Sequence, residues 1–584
     1  MQIVVHTKIP DDSSLCYQWN GLLQHMERPQ VSYTYEWAVA VSRAYAASLQ
    51  PLLLAAYRER TLAGVVALVK DSTGNRFSFL TAPTADYCDF ISSHDDRAEF
   101  IERVMLELRR MGACEIRLAN LPADSISVNT LQAAMRKARY SHFARSAYCC
   151  AQVPLVSDED RMQTRNSTSS RLKRLSKIWA KHGTVRVSHH QNWDELSREF
   201  PDFATAHVER FLAAGLVSNL VRQERRAFLL ELGKLLSAQA SLTFSTLKLD
   251  GRTIAWNYGF RFEGNWFWYQ PAFDRDMAHL SPGTYLLCEI LRQASEDPQI
   301  HTVDLGLGDE EYKERYSKAG RMTLHITASS GHRKALEVCR YGAAQFVKRS
   351  PRLEHGIRAG LARLQSVRKR ISRDGLAGGF NLLVSRSMPF LTGPSQVIFF
   401  EGTAATQSQR ADLRLQALSF KLLATAAMQY EAEPGTLDYI LRAAKRLNSG
   451  CAEGFALTTL EGVLLHFCWL SQFQGFAMTE LRKGLEEPAP GSVLLFDCWT
   501  PLSQRGQGYY GQCIAKVVGH MLEKGKHPWI FSAASNVSSL RGIEKSGFIP
   551  RFSLKRKRRF LVTTISKINL SESTGARMDL YPAA

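Results

Sequence analysis

Arg505-Gly506-Gln507-Gly508 lies between an unbroken apolar run, Val493-Leu494-Leu495-Phe496, and a helical pattern beginning at Gln512. Strand, glycine turn and helix in that order give the glycines a physical task. They let the backbone take positive φ and come close to a ligand. The N–H groups left unpaired where the helix starts then face an anion, helped by the helix dipole, and pyrophosphate is the usual client. Other residues have the types needed for proton transfer. Asp86 and Asp89 stand three apart in Thr84-Ala85-Asp86-Tyr87-Cys88-Asp89. They form either an Asx turn or the lining of a substrate cleft that also holds Tyr87. His207 and Arg210 share a helical face at i, i+3. His189-His190 adjoin on a strand and cannot easily chelate one metal, and no Cys/His spacing suits zinc, so no metal is expected.

The elements that must position these groups alternate helix and strand along most of the chain. Its 584 residues are enough for roughly three or four domains. Residues 32–155 read as a first α/β set. A hairpin runs through 52–58 and 64–69, a helix over 96–111 ends at Gly112, and a strand at 115–118 precedes a helix over 128–138. A basic amphipathic helix over 160–183 ends at Gly183 and introduces a second set. Its helices are expected over 193–214 and 223–238, and its strands at 242–249, 253–260 and 266–270, with Asp250-Gly251 as a hairpin turn. Ser281-Pro282-Gly283 then opens a helix from Thr284 to Ala294, followed by strands at 302–306 and 322–327. A third set begins near Gln396, with helices over 409–429 and 436–447, strands at 454–459 and 463–469, and the glycine loop after 493–500. The second and third sets share one order: hairpin, strand, glycine turn, helix, strand, polar turn, helix. That is a repeat of architecture rather than of letters.

Charge and cysteine usage narrow the class. The net charge is +19, which invites a nucleic-acid reading, but its distribution argues against one. Twelve Lys and Arg against only Glu337 and Glu354 fall within 331–373, and a second patch is Lys555-Arg556-Lys557-Arg558-Arg559. Neither is interleaved with aromatics. Solvated helix faces and attraction to phosphorylated ligands or a membrane surface account for them, and nucleic acid is not an expected partner. The eleven cysteines are scattered and include no Cys-x-x-Cys, the usage of a cytosolic protein. Met1 to Lys8 reads as a strand without a signal-peptide layout, and no apolar run approaches the roughly 20 residues of a membrane-spanning helix. A cytoplasmic location is expected. Cys149 and Cys150 are strand neighbours pointing to opposite faces and should not pair.

The third set resembles the GNAT superfamily of acyl-CoA-dependent acyltransferases. The resemblance rests on Arg505-Gly506-Gln507-Gly508 within a Gln/Arg-x-x-Gly-x-Gly/Ala signature and on Asn536-x-x-Ser539…Glu544-Lys545-Ser546-Gly547-Phe548. It departs from the pattern at Tyr510, where the signature has a small residue, and at Ile543, where many members carry a tyrosine that acts as general acid on the departing thiolate. Residues 1–330 are similar to the CelD-type acetyltransferases found with bacterial cellulose and exopolysaccharide genes, themselves similar to Fem-type tandem acyltransferases. The elements that carry this are 84–89, the basic helix at 171–183, Tyr269-Gln270-Pro271-Ala272-Phe273-Asp274, Ser281-Pro282-Gly283, and Asp304-Leu305-Gly306-x-Gly308…Tyr312-Lys313.

The resemblance implies an α/β fold with mixed sheets in three GNAT-like units, the first two a tandem pair. The expected divisions are 1–157 (degenerate), 158–330, a basic linker 331–395, a unit at 396–565 and a tail at 566–584. It implies acyl-CoA, in particular acetyl-CoA, as co-substrate, held by Ser281, Gly283 and Thr284 in the second set and by Arg505, Gly506, Gln507, Gly508 and Asn536 in the third. Amine attack on a thioester needs a base near the acceptor and a donor at the developing oxyanion. Asp304, Tyr312 and Lys313 are the candidates for acceptor handling. Their plainer readings are a turn aspartate for Asp304 and a solvated lysine for Lys313. Asp497 and His466 are candidate bases of the third set, Asp86, Tyr87, Asp89, Tyr269 and Gln270 are candidate substrate residues, and Glu289 is read as structural. The expected acceptor is a small molecule or saccharide, with contact to membrane-bound polysaccharide machinery. Two other readings remain open: a Fem-like transferase using aminoacyl-tRNA, and a non-catalytic CoA-binding or scaffold protein.

Overall fold

The computed structural model describes residues 1–308, 310–317, 319–330, 396–403, 410–478, 483–559 and 562–570. The basic stretch 331–373, the glycine-containing linker 375–380 and the apolar segment 385–393 lie outside the described residues. The chain divides into two compact units, Met1–Arg210 with Arg222–Phe346, and Phe211–Val221 with Val347–Ala584.

In the first unit, β1 (Gln2–His6), α1 (Ser13–Leu23) and α2 (Tyr35–Ala44) precede the hairpin of β2 (Gln50–Arg58) and β3 (Thr61–Lys70). Leu53, Leu54, Ala55, Ala56 and Val65 in that hairpin are fully buried, as expected for strands covered on both faces. Next come β4 (Arg76–Phe79), β5 (Ile91–Ser92), α3 (His94–Arg110), β6 (Glu115–Pro122), α4 (Ser127–Lys137) and the long β7 (Ser141–Pro154). Ser93 caps α3 by accepting from the Asp96 N–H, and Gly112 takes φ +80 just past its end.

The second half follows a capping box at Ser157 and Asp160. It comprises α5 (Asp158–Trp179), β8 (Val185–His190), α6 (Trp193–Ala213), α7 (Gln223–Ser237), β9 (Leu242–Leu249), β10 (Arg252–Phe262), β11 (Asn265–Phe273), α8 (Pro282–Glu296), β12 (Thr302–Asp304), α9 (Glu311–Glu314) and β13 (Ala319–Ser329). Asp250 and Gly251 both take positive φ, +47 and +86, the backbone of a tight hairpin turn.

All thirteen strands form one sheet, ordered β1-β2-β3-β4-β6-β13-β7-β12-β11-β10-β9-β8 with β5 beside β3. The two halves exchange their last strands. β13 sits antiparallel between β6 and β7, and β7 in turn pairs with β12. Cys150 is buried on β7 while Cys149 is exposed, and both thiols are free.

The second unit holds a mixed eight-stranded sheet, β15-β16-β17-β20-β21-β14-β22-β23. Its elements are β14 (Gln396–Gly402), β15 (Leu413–Ala417), α10 (Phe420–Gln429), α11 (Thr436–Ser449), β16 (Glu453–Thr459), β17 (Leu464–Gln472), a small β18–β19 ribbon (Ala477–Met478, Lys483–Gly484), β20 (Ser492–Trp499), α12 (Tyr509–Glu523), β21 (His527–Ala533), α13 (Val537–Lys545), β22 (Phe548–Arg559) and β23 (Val562–Asn569). One helix was expected over 409–429, but its first part is β15. Leu413 to Ala417 alternates apolar and polar residues, the period of a half-buried strand, and Ser419 starts the helix by accepting from the Leu422 N–H. The basic patch 555–559 falls on β22, and β23 carries the sheet through residue 565 into the expected tail.

One motif occurs three times: a strand, a crossover helix and a parallel strand, as β4–α3–β6, β11–α8–β12 and β20–α12–β21. In each the parallel pairing covers only three or four residues. The strand exchange yields a test. A fragment 1–157 lacks β13 and β12, which leaves β7 without a strand partner and β6 with one open edge beside its three-residue pairing to β4, so it is expected to show no cooperative thermal transition by circular dichroism, whereas 1–330 should show one.

Candidate active site

The second copy of the motif opens a wedge. β11 pairs with β12 only over Asn265–Phe267 against Thr302–Asp304, so Tyr269 and Gln270 lie beyond the paired part and Asp304 stands at its end. Trp37 on α2 packs against Phe228, Phe260 and Tyr269 at ring distances of 5.6, 5.4 and 5.6 Å. Its indole N–H donates to Thr84 Oγ1 at 3.0 Å, and the Tyr269 hydroxyl donates to the Thr84 carbonyl. The 84–89 loop of the first half is thereby held over the wedge of the second.

Asp304 is 2% exposed and hydrogen-bonded on both oxygens. Oδ2 accepts from the Tyr87 hydroxyl and from Gln152 Nε2, each at 2.7 Å, and Oδ1 accepts from the Gly306 N–H at 2.8 Å. Further contacts close a ring around it. Arg28 donates to Gln152 Oε1 (3.3 Å) and Asp124 Oδ2 (2.6 Å). Arg321 Nε donates to Asp124 Oδ1 (3.0 Å), and its guanidinium lies 4.8 Å over the Tyr87 ring.

Asp86 is half-buried, and its Oδ2 accepts from the Leu307 N–H at 3.3 Å. Burial, and then the nearby charge of Asp304, push its carboxyl up to about 6. Gly306 takes φ +70, and a Cβ there would lie 2.7 Å from Asp86 Oδ2, so glycine is required by backbone and by space. Lys313 is buried, donates to the carbonyls of Gly306 and Leu307 and pairs with Glu310 Oε2 at 2.8 Å; it ties down the Gly306 turn rather than standing in solvent. The Tyr312 hydroxyl accepts from Trp268 Nε1 at 3.2 Å, and burial raises its pKa to about 12.

Asp89 points elsewhere: it accepts from Ser125 Oγ at 2.6 Å, and burial raises its pKa. His207 is kept neutral by burial and by the charges of Arg210 and Arg225. Glu289 pairs with Arg292 at 2.6 Å on its own helix. His189 accepts from or donates to Ser245 Oγ at 2.7 Å, and burial lowers its pKa to about 4. The start of α8 carries no side-chain cap. Ser281 takes φ +57, Pro282 has no N–H, and Gly283 and Thr284 form the first turn. Ser176 on the basic helix α5 reaches Tyr285 Oη at 3.4 Å, which sets the α5 cations beside that helix start.

In the second unit a cleft of about 900 Å³ lies where β20 and β21 part. They pair over Ser492–Leu495 and His527–Ile530. β20 then bulges against β17, with Asp497 at φ +46. Arg505, Gly506, Gly508 and Asn536 line this cleft, together with Tyr510, Arg541 and Lys545. Gly506 and Gly508 take φ of +80 and +78 with open space where a Cβ would stand, and α12 has no side-chain cap. Gln507 is turned to the Tyr509 hydroxyl at 2.9 Å, and Asn536 accepts from the Ser539 N–H.

Asp497 is ion-paired with Arg446 at 2.7 Å, which occupies it structurally. His466 Nδ1 shares a 2.8 Å hydrogen bond with Thr500 Oγ1, and burial lowers its pKa to about 3. A base that weak is mismatched to neutral pH. Among the described residues no group of His, Cys, Asp and Glu is placed to hold a metal ion, and no helix is long and apolar enough to cross a membrane.

Gln152, Arg225, Arg321 and Tyr510 take part in these sites without having been singled out as site residues. Arg225 had a readable signal, since it sits on the apolar stripe of α7 with Phe228, Leu229 and Leu232. Gln152 had none, because its partners Arg28, Tyr87 and Asp304 lie far from it along the chain.

The family described as "Acetyltransferase (GNAT) domain" matches residues 163–314. No curated protein matches the chain. Similar solved structures include FemX, with 10% identity, TM-score 0.40 and coverage of 56% of this chain and 97% of that one. L-PGS from Bacillus licheniformis has 12% identity and TM-score 0.37, covering 59% and 99%. A tandem GNAT protein from the clavulanic acid biosynthesis pathway has 11% identity and TM-score 0.32, covering 56% and 99%. No residue role carries over from likenesses this low. Residues 163–314 carry a GNAT acetyltransferase domain, the fold of an acyl-CoA-dependent acyltransferase.

Proposed function

We propose that the chain transfers an acyl group, by preference acetyl, from a CoA thioester to an amine on a small molecule or saccharide precursor, with Asp86 as general base. The observation that carries this reading is the placement of Asp86 against the Gly306-Leu307 turn beside Asp304 at the end of β12, where burial and then the Asp304 charge push its carboxyl up to about 6. A protonated amine cannot attack a carbonyl, so the acceptor must give up a proton at the site. A base whose pKa lies just below working pH is ionised and still basic enough to take it. Asp304 acts through Asp86: its charge raises the Asp86 pKa, and it fixes the Gly306 turn whose next N–H meets Asp86.

Acyl-CoA supplies an activated carbonyl and a thiol acidic enough to leave with little help. Gly283 and Thr284 at the uncapped start of α8, with Ser281 and the basic face of α5, suit its phosphates. Tyr269 and Gln270 border the acceptor side. The resemblance to CelD-type proteins supports a cellulose or exopolysaccharide precursor as acceptor, with the protein working in the cytoplasm beside membrane-bound polysaccharide machinery.

Asp86→Asn is expected to lower kcat/KM for CoA release with an amine acceptor by about 10² to 10⁴-fold, while the wild-type rate rises with pH through about 6. The stability effect has the opposite sign. A carboxyl whose pKa is raised by folding binds its proton more tightly in the native state, so it costs stability as pH rises from about 4 to 6. Asp86→Asn should therefore raise Tm at pH 7, and the gain should vanish near pH 4. An inactive Asn variant with no such Tm gain would count against a strained base at this position.

Gly283→Trp probes the cofactor side. A Cβ there already meets Phe273 Cδ1 at 3.3 Å, which forces the added ring outward over the helix start. The KM for acetyl-CoA should rise at least about tenfold, a loss of roughly 1.4 kcal/mol or more; an unchanged KM would move the phosphates elsewhere.

A further inference from the structure

The hairpin of β22 and β23 outruns the sheet that carries it. β14 pairs with β22 only as far as Lys555, which stands opposite Gln396, and β23 is the last strand of the sheet order. From Arg556 to Arg559, β22 pairs with β23 alone, Arg556 opposite Ile565 and Arg559 opposite Val562. A two-stranded ribbon with no third strand is marginally stable in water, so this end rests on little besides its own ladder.

Its composition is one-sided. Residues 548–569 contain seven Lys and Arg and no Asp or Glu. Arg551, near the base, is ion-paired with Glu401 at 2.8 Å. Five others are consecutive, Lys555 to Arg559, and their partners across the ladder are Ser566, Ile565, Thr564, Thr563 and Val562. No acid at those register positions offsets them. Cations on a sheet edge guard it against pairing with another chain, but the edge strand here is β23, which has none from Val562 to Ser566. The charge sits on the inner strand, where edge protection does not call for it.

The sequence that joins Arg559 to Val562 is Phe560-Leu561. A two-residue hairpin connection favours Asn, Asp and Gly, which accept positive φ, and two large apolar residues supply no turn chemistry. Successive residues of a strand belong to alternate faces, so five cations in a row are shared between both faces of the ribbon instead of forming one flat basic side. An apolar end flanked by cations on both faces matches the layering of a bilayer leaflet, with anionic headgroups outside and the acyl boundary within. Nucleic acid offers phosphates without an apolar layer and leaves Phe560-Leu561 unexplained.

We propose that the β22–β23 hairpin is a membrane-docking site that enters an anionic lipid surface end-on, Phe560 and Leu561 reaching the acyl boundary and the cations of 555–559 meeting the headgroup phosphates. The site is peripheral, since among the described residues no helix is long and apolar enough to cross a membrane. It depends neither on Asp86 nor on the acyl-transfer reading.

Co-sedimentation of the full chain with vesicles tests it. Vesicles of phosphatidylcholine and phosphatidylglycerol in equal parts should retain the wild type, and phosphatidylcholine alone should not. Lys557→Gln with Arg558→Gln should weaken binding to the mixed vesicles at least about tenfold, and Phe560→Ser with Leu561→Ser by a similar factor. Added salt should weaken the wild type and the serine pair more than the glutamine pair, because it screens the charges that the glutamine pair lacks. Circular dichroism and Tm should stay as in the wild type for both pairs, and should one pair unfold, the other still reads the site. Failure of the wild type to bind the mixed vesicles, or binding that survives both pairs, would overturn the proposal. Binding that follows the charges and ignores the apolar pair, with duplex DNA held as tightly, would overturn lipid as the partner in favour of nucleic acid.

Discussion

The carboxylate of Asp304 is taken out of water and held by donors from two distant stretches of chain, Tyr87 in the first half and Gln152 on the exchanged strand, and by the Gly306 N–H on the turn that follows it. Removing a carboxylate from water costs several kcal/mol, and hydrogen bonds to a charged group return about 1.5–3 kcal/mol each. All three donors are therefore needed together. That requirement fixes the 84–89 loop over the wedge, sets the Gly306 turn and sends the next N–H to Asp86. It also gives Asp86 a charged neighbour in a half-dry place, which is the physical origin of its raised pKa.

The same crossover motif serves differently in its three copies. In the first, the connection from β4 to α3 contains no glycine and includes the short β5, and its 84–89 loop serves as a wall of the second copy's site. In the second and third, an uncapped helix start faces the parting strands. A parallel pair that separates after three or four residues leaves backbone donors and acceptors free between the strands, a natural place for a ligand in open α/β sheets. The exchange of β7 and β13 explains why the first copy persists: it completes the sheet that the second copy needs.

Much of this was legible in the sequence, and the rest was hidden for physical reasons. The hairpin at Asp250-Gly251, the helix stop at Gly112 and the glycine loop at Arg505–Gly508 are local chemistry, and local chemistry can be read. The strand exchange cannot be read, because its partners lie about 170 to 190 residues apart and no local pattern encodes a neighbour. β15 reads as helix in the sequence because its five residues run straight into a capped helix. Asp86 and Asp304 are each visible as candidates in the sequence; what makes Asp86 a base is its burial and then the charge of Asp304, both set by the folded chain. Tyr510 departs from the signature's small residue, and the room for its ring comes from Gly542, far along the chain, where a Cβ would lie 2.7 Å from it.

The measurement closest to the central claim is a direct titration of the Asp86 carboxyl. Carbon-13 detection of labelled aspartates in the full chain, assigned by difference from Asp86→Asn, would follow its ionisation with pH. The expected midpoint is about 6, falling toward the ordinary carboxylate range when Asp304→Asn removes the neighbouring charge in a chain that still folds. A wild-type midpoint near 4 would contradict Asp86 as the base, and one indifferent to Asp304 would contradict their coupling.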